Sequence, residues 1–205
     1  GVETGALFNA VRALTKTGVD PAPSASFRPP SGGGGSLFFE TTSDSYFLDP
    51  ANAARDVHVA FVDGMHLADY VARDVENVSE AIIGTLRRQQ QQEQQQQQSD
   101  EEKEEDLTAA GGWIILDDVV PRDRAEQERV PRGSYHDRGI LKYGAPWTGD
   151  VWKTVAVLVR KYPHLERRLF LAPNEYRGVL AFRLTAADEP MRLTSRELAH
   201  AMALD

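Results

Sequence analysis

The 205-residue sequence predicts an α/β fold on an open sheet, with an antiparallel hairpin at one edge. Three observations carry that expectation. Short apolar runs alternate with stretches of helical period along most of the chain. One run, GGWIILDD, is wholly apolar behind a Gly-Gly turn, as a central strand covered on both faces would be. Near the C-terminus, RLFLAPNEYRGVLAFRLT reads as two strands around a tight turn.

Taken in order, residues 6–14 have helical spacing and follow the glycine pair Gly1 and Gly5. Residues 17–19 form a short strand that ends at Asp20, and residues 36–40 form another. Between them, the Pro, Gly and Ser of residues 21–35 predict a loop. A stronger strand spans residues 56–62. Leu67, Tyr70, Val71, Val75, Val78 and Ile82 then recur near helical period, predicting a helix over 67–86. Residues 87–106, RRQQQQEQQQQQSDEEKEED, contain no apolar side chain with which to offset the entropy of ordering, and read as disordered or as a solvated extension of that helix. After the GGWIILDD strand, residues 121–144 form a charged loop that Gly133, Gly139 and Gly144 could hinge as a lid. GDVWKTVAVLVRKYP is an amphipathic helix stopped by Pro163, and a last helix begins at Ser195. The whole is expected to be one domain, 1–205.

Composition narrows the function classes. The formal charge of −8 is largely local: residues 93–106 carry seven acids against one base, which leaves −2 for the rest. A nearly neutral body gives no reason to expect nucleic acid as a partner. No apolar stretch approaches the ~20 residues of a membrane helix. Cysteine is absent, which removes disulfides and thiolate chemistry and suits a reducing, cytoplasmic setting.

In open α/β sheets, ligands bind beyond the carboxyl ends of the strands. Those ends hold Asp20, Ser43 with Asp44, Asp63, and Asp117 with Asp118. A single such acid is most simply a helix N-cap, but four along one edge suggest a site. Asp63, Asp117 and Asp118 would repel one another unless a cation neutralised them, and hard carboxylate oxygens suit Mg²⁺ or a similar divalent ion. The plain alternative is that Asp63 caps the following helix and one of the pair is solvated. His66, three residues after Asp63, is a candidate general base, since imidazole titrates near neutrality. It could equally be a helix-start residue bonded to a neighbouring acid. Asp74 and Asn77, on the next helix, either orient this site or face solvent. Trp147, Asp150, Trp152 and Lys153 close the pocket or pack their helix.

The order GVETG, TGVDP, TSDSYF, VAFVDGMH, RDVEN, GGWIILDDVVP and WTGDVWK resembles the class I S-adenosylmethionine-dependent methyltransferases, most nearly small-molecule O-methyltransferases with a DGxH…DD signature. That resemblance implies a Rossmann-like, mostly parallel sheet with helices on both faces. It implies a methyl donor, S-adenosylmethionine, held by Gly1, Gly5, Asp20, Ser43 and Asp44. It further implies a divalent cation at Asp63, Asp117 and Asp118, and a small-molecule oxygen acceptor near His66. Because the family's glycine turn follows a first strand, a chain that starts at Gly1 is expected to lack that strand. Two alternatives accompany the methyltransferase expectation: a hydroxylase-like enzyme of secondary metabolites with the same fold, and a degenerate, non-catalytic module.

Overall fold

The structure, a computed structural model, describes residues 2–28, 35–97, 111–129, 147–172 and 175–204. Gly1, the end of the 21–35 loop, residues 98–106 of the polar insertion and most of the 121–144 loop lie outside the described residues. The chain forms two compact units, Gly1–Arg55 and Asp56–Asp205, where the sequence reads as one domain.

The first unit holds a two-stranded parallel sheet, β1 (Lys16–Val19) beside β2 (Ser36–Phe39). Aromatic rings fill its small core: Phe27 lies 4.6 Å from Phe38 and Tyr46 meets Phe39 edge-on at 5.0 Å, a geometry ring quadrupoles favour. Helix α1 (Ala6–Ala10) is shorter than its sequence spacing suggests. It buries no side chain, and so short a helix has little beyond packing to sustain it. The Lys16 ammonium closes its end, donating to the carbonyls of Phe8 and Val11. Helix α2 (Ser43–Leu48) starts from Thr42, whose hydroxyl accepts from the Ser45 N–H. The single turn α3 (Pro50–Ala53) follows, capped by Asp49 with proline at its first position.

In the second unit a four-stranded open sheet has the order β3-β4-β6-β5. Strands β3 (Val59–Val62) and β4 (Gly112–Leu116) are parallel, with Val62 opposite Leu116. β6 (Glu175–Leu184) runs antiparallel to both β4 and β5 (Arg167–Ala172), so the sheet is mixed and the expected hairpin sits at its edge. Helix α4 (Ala68–Gln97) crosses β3, β4 and β6, burying Val71, Val75, Ile82 and Leu86 on one stripe. Its start matches the apolar period, and it runs on through the glutamines to Gln97, so residues 87–97 are helical and not disordered. Gly112 is needed where α4 comes closest, because a side chain there would collide with Ile82. The core gathers Val75, Ile82, Ile114, Leu116, Leu158, Phe182 and Leu184, all without measurable exposure. On β4 only alternate residues are buried; Trp113 and Ile115 are half-buried, so the strand is less evenly covered than its apolar run suggests. Helices α5 (Val151–Lys161) and α6 (Ser195–Met202) pack on α4, and α6 begins with a complete capping box between Thr194 and Glu197. Among the described residues, no helix is long and apolar enough to cross a membrane.

Candidate functional site

The parallel register of β3 and β4 decides where their trailing acids go. With Val62 opposite Leu116, the next residues, Asp63 and Asp117, leave the sheet at the same edge, and the Asp117 N–H still donates to the Val62 carbonyl at 3.1 Å. One residue later the chain turns sharply: Asp118 has φ +56°, held as its N–H donates to Asp117 Oδ1. Side chains on a strand alternate between faces, and this left-handed turn overrides that alternation. The Asp118 carboxylate is nine-tenths buried, and one of its oxygens comes 3.4 Å from His66 Nε2.

His66 reaches the same place from the other strand. It too has a left-handed backbone, φ +51°, an uncommon conformation for a residue with a side chain. Its ring stacks on Trp147 at 5.3 Å, and Nδ1 lies 2.9 Å from the Trp147 carbonyl. A carbonyl can only accept, so Nδ1 carries a proton and Nε2 is the nitrogen that titrates. Nε2 lies 3.1 Å from Asp63 Oδ1. Burial pulls the imidazole pKa down, but the Asp63 hydrogen bond, the Asp118 charge and the Trp147 carbonyl outweigh it, so His66 is held above its ordinary value. The two carboxylates thus favour the imidazolium more than free solution does. Asp63, His66 and Asp118 each offer one ligand atom, all within 4.8 Å of one another, a spacing suited to a metal ion.

A second layer fixes this geometry. Gly149, at φ +59°, lies so close to the His66 carbonyl that a side chain there would collide with it, and the Asp150 N–H donates to that carbonyl at 3.2 Å. The buried Asp150 carboxylate caps a helix other than its own: Oδ1 accepts from the Ala68 N–H at 2.7 Å, at the start of α4. Its Oδ2 takes Arg129 Nη1 at 2.9 Å, while Arg129 Nη2 bonds Asp69 at 2.7 Å. Thr154 Oγ1 donates to the Ala68 carbonyl at 2.6 Å. The start of α4, five residues beyond Asp63, is thus met by Asp150.

The predicted residues divide accordingly. Asp63, His66 and Asp118 converge, with the imidazole in the ligand set beside two acids where the sequence reads three acids. Asp117 is at the same edge, with one oxygen on the Asp118 N–H. Asp74 approaches the Asp63–Gly64 turn, its Oδ2 3.2 Å from where a Gly64 side chain would start. In the first unit, Asp20 is buried at the end of β1: Oδ2 accepts from the Val2 and Glu3 N–H groups at 2.7 and 2.9 Å, and Oδ1 from Ala22 at 2.8 Å. Burial raises its pKa, and those three amides more than reverse that, holding it below the usual carboxylate value. Asp20 thereby ties the Val2–Glu3 turn to the strand end. Gly5, at φ +80°, leaves no room for a side chain against Phe27. Ser43 and Asp44 occupy the first turn of α2. Sequence reading does not find Arg129, which lies in a charged loop with no periodic signal; it singles out Asp150, as closing the pocket or packing its helix, but not its part with Gly149 in this clamp. The one available sign of that clamp was Gly-Asp directly before a helix.

No protein family, curated protein or solved structure matches this chain.

Proposed function

We propose that the protein transfers a methyl group from S-adenosylmethionine to an oxygen of a small molecule, with a divalent cation at Asp63, His66 and Asp118. One observation carries the reading: His66 Nε2 lies between two carboxylates at the ends of adjacent parallel strands, on a backbone that is left-handed at both His66 and Asp118. Such conformations persist where the surroundings impose them, and they gather at functional sites. The motif order described above supplies the methyl-transfer chemistry.

The donor set fits a cation. An imidazole beside two carboxylates departs from the all-oxygen shell that Mg²⁺ prefers and suits a first-row transition ion such as Mn²⁺, which takes carboxylate oxygens readily and accepts a nitrogen ligand. When bound, the ion would supply Lewis acidity, lowering the pKa of an acceptor hydroxyl. The chain's own residues do the rest. The Trp147 carbonyl holds the His66 proton on Nδ1, which would leave Nε2 to ligate the cation together with Asp63 and Asp118. The Gly149–Asp150 turn fixes the His66 backbone, and alignment is most of what an in-line displacement asks of a protein. On the donor side, the Val2, Glu3 and Ala22 amides take three of the roughly four acceptor directions of Asp20, which among the described residues leaves one for a hydroxyl.

Calorimetric titration of S-adenosylmethionine, with and without Mn²⁺ or Mg²⁺, tests this. Saturable binding weakened by Asp20→Asn, with cation binding lost in Asp118→Ala, is the expected result; no donor binding under any condition would overturn it. One observation favours a second reading, a small-molecule hydroxylase of the same fold: an imidazole among carboxylates also suits iron. Product formation that requires oxygen and a reductant, and no methyl donor, would select it.

A further inference from the structure

A cavity of about 230 Å³ opens in the second unit, apart from the Asp63–His66–Asp118 cluster. Arg124, Gln127 and Arg129 line it from the segment after β4, Trp152 and Lys153 from the first turn of α5, and Leu204 from beyond α6. At roughly 30 Å³ per liquid water it has space for about eight waters, enough for one ring bearing a carboxyl group.

Its charges do not cancel. Arg129 is committed to Asp69 and Asp150. Among the described residues Lys153 Nζ meets neutral groups, the Met202 carbonyl at 3.3 Å and the Trp152 ring at 5.8 Å, and Arg124 makes no ion pair. Against these two cations the wall sets one carboxylate, Glu128. The first turn of α5 also brings the positive end of a helix dipole to the same wall. Two cations select an anion, while the Trp152 ring and Leu204 select an apolar body.

We propose that this cavity binds a small apolar carboxylate, its acid group met by Arg124 and Lys153 and its apolar body by the Trp152 ring and Leu204. The cavity wall is joined to His66 through one residue: Trp147 Nε1 donates to the Glu128 carbonyl at 2.6 Å, and the Trp147 carbonyl lies 2.9 Å from His66 Nδ1. If the methyl-transfer reading holds, this carboxylate is the anchoring end of the acceptor; the binding itself does not depend on that reading.

Titration of benzoate into the full chain, with inorganic phosphate as the comparison anion, tests it. Benzoate should bind saturably and more tightly than phosphate. Arg124→Ala, at an exposed position, should weaken it roughly tenfold, as loss of one charge-assisted hydrogen bond does. Lys153→Met, which keeps the length of the side chain but removes the charge, should weaken it by a similar factor. Absence of saturable benzoate binding overturns the proposal, as does an affinity unchanged in both variants or phosphate binding as tightly as benzoate. S-adenosylmethionine titrated alongside separates the two readings: benzoate binding without donor binding removes methyl transfer alone, and the reverse removes the carboxylate site alone.

Discussion

Asp150→Ala is expected to loosen the candidate site and the start of α4 together. The carboxylate is buried and serves two elements: Oδ1 accepts from the Ala68 N–H and Oδ2 from Arg129. Leaving the first helical amide of α4 without an acceptor costs about 1–2 kcal/mol, the range for a lost cap or an unmatched buried donor. The Arg129 pair adds less than its geometry suggests, because Arg129 is 37% exposed and still has Asp69; after screening it contributes about 1 kcal/mol. The sum is about 2–3 kcal/mol. In a unit of this size each kcal/mol moves Tm by about 2–4 °C, so a fall of roughly 4–12 °C should appear in a thermal melt. Asp150→Asn separates the contributions, since its amide oxygen can still accept from Ala68 while the charge is gone; it should recover more than half of the loss. A fall in Tm below about 2 °C for Asp150→Ala would refute the argument that one side chain clamps both elements. Equal loss in the two variants would show instead that the charge matters and the cap does not.

Gly149→Ala should be among the most damaging single changes near the site. Alanine at φ +59° costs roughly 1–2 kcal/mol in any surroundings, and here its methyl group would also meet the His66 carbonyl; the His66 ring resonances should shift in NMR as the turn moves away. The imidazole itself offers a pH test. Since the folded pKa of His66 lies above its unfolded value of 6.5, its contribution to stability is fully present below pH 6.5 and is lost as pH rises through the folded value. An NMR titration should therefore place the His66 midpoint above 6.5, and Asp63→Asn should bring it down; a midpoint below 6.5 in the parent chain would show that burial outweighs the carboxylates.

Much of this architecture was readable wherever a local rule operated. The helix from Val151 to Lys161 follows from its apolar stripe and Pro163, β4 from an apolar run behind two glycines, and the meeting of Asp63 with an acid of the Asp117–Asp118 pair from each following an apolar strand. The choice of Asp118 over Asp117 was not readable, because it rests on a left-handed turn at a residue that rarely adopts one. Long-range electrostatics left no trace either: Arg129 joins partners 21 and 60 positions away, and no periodicity encodes such a pairing. The division into two sheets was hidden for a related reason, since which strands pair depends on how the connections cross, not on the strands themselves. The composition of residues 87–97 lacks a core-facing side and so permits either disorder or a solvated helix, yet glutamine is a good helix former and α4 is already nucleated by its buried stripe.

That last stretch gives the molecule an adjustable phase. Beyond Gln89, whose side-chain amide reaches His58, the helix continues through glutamines and Glu93 to Gln97. Every residue gained or lost in such a tract advances the helix by about 1.5 Å and turns it by about 100°, so whatever is attached beyond Gln97 would be re-aimed while the buried face of α4 stays in place. A change of seven residues would nearly restore the original heading; a change of two would point it almost the opposite way.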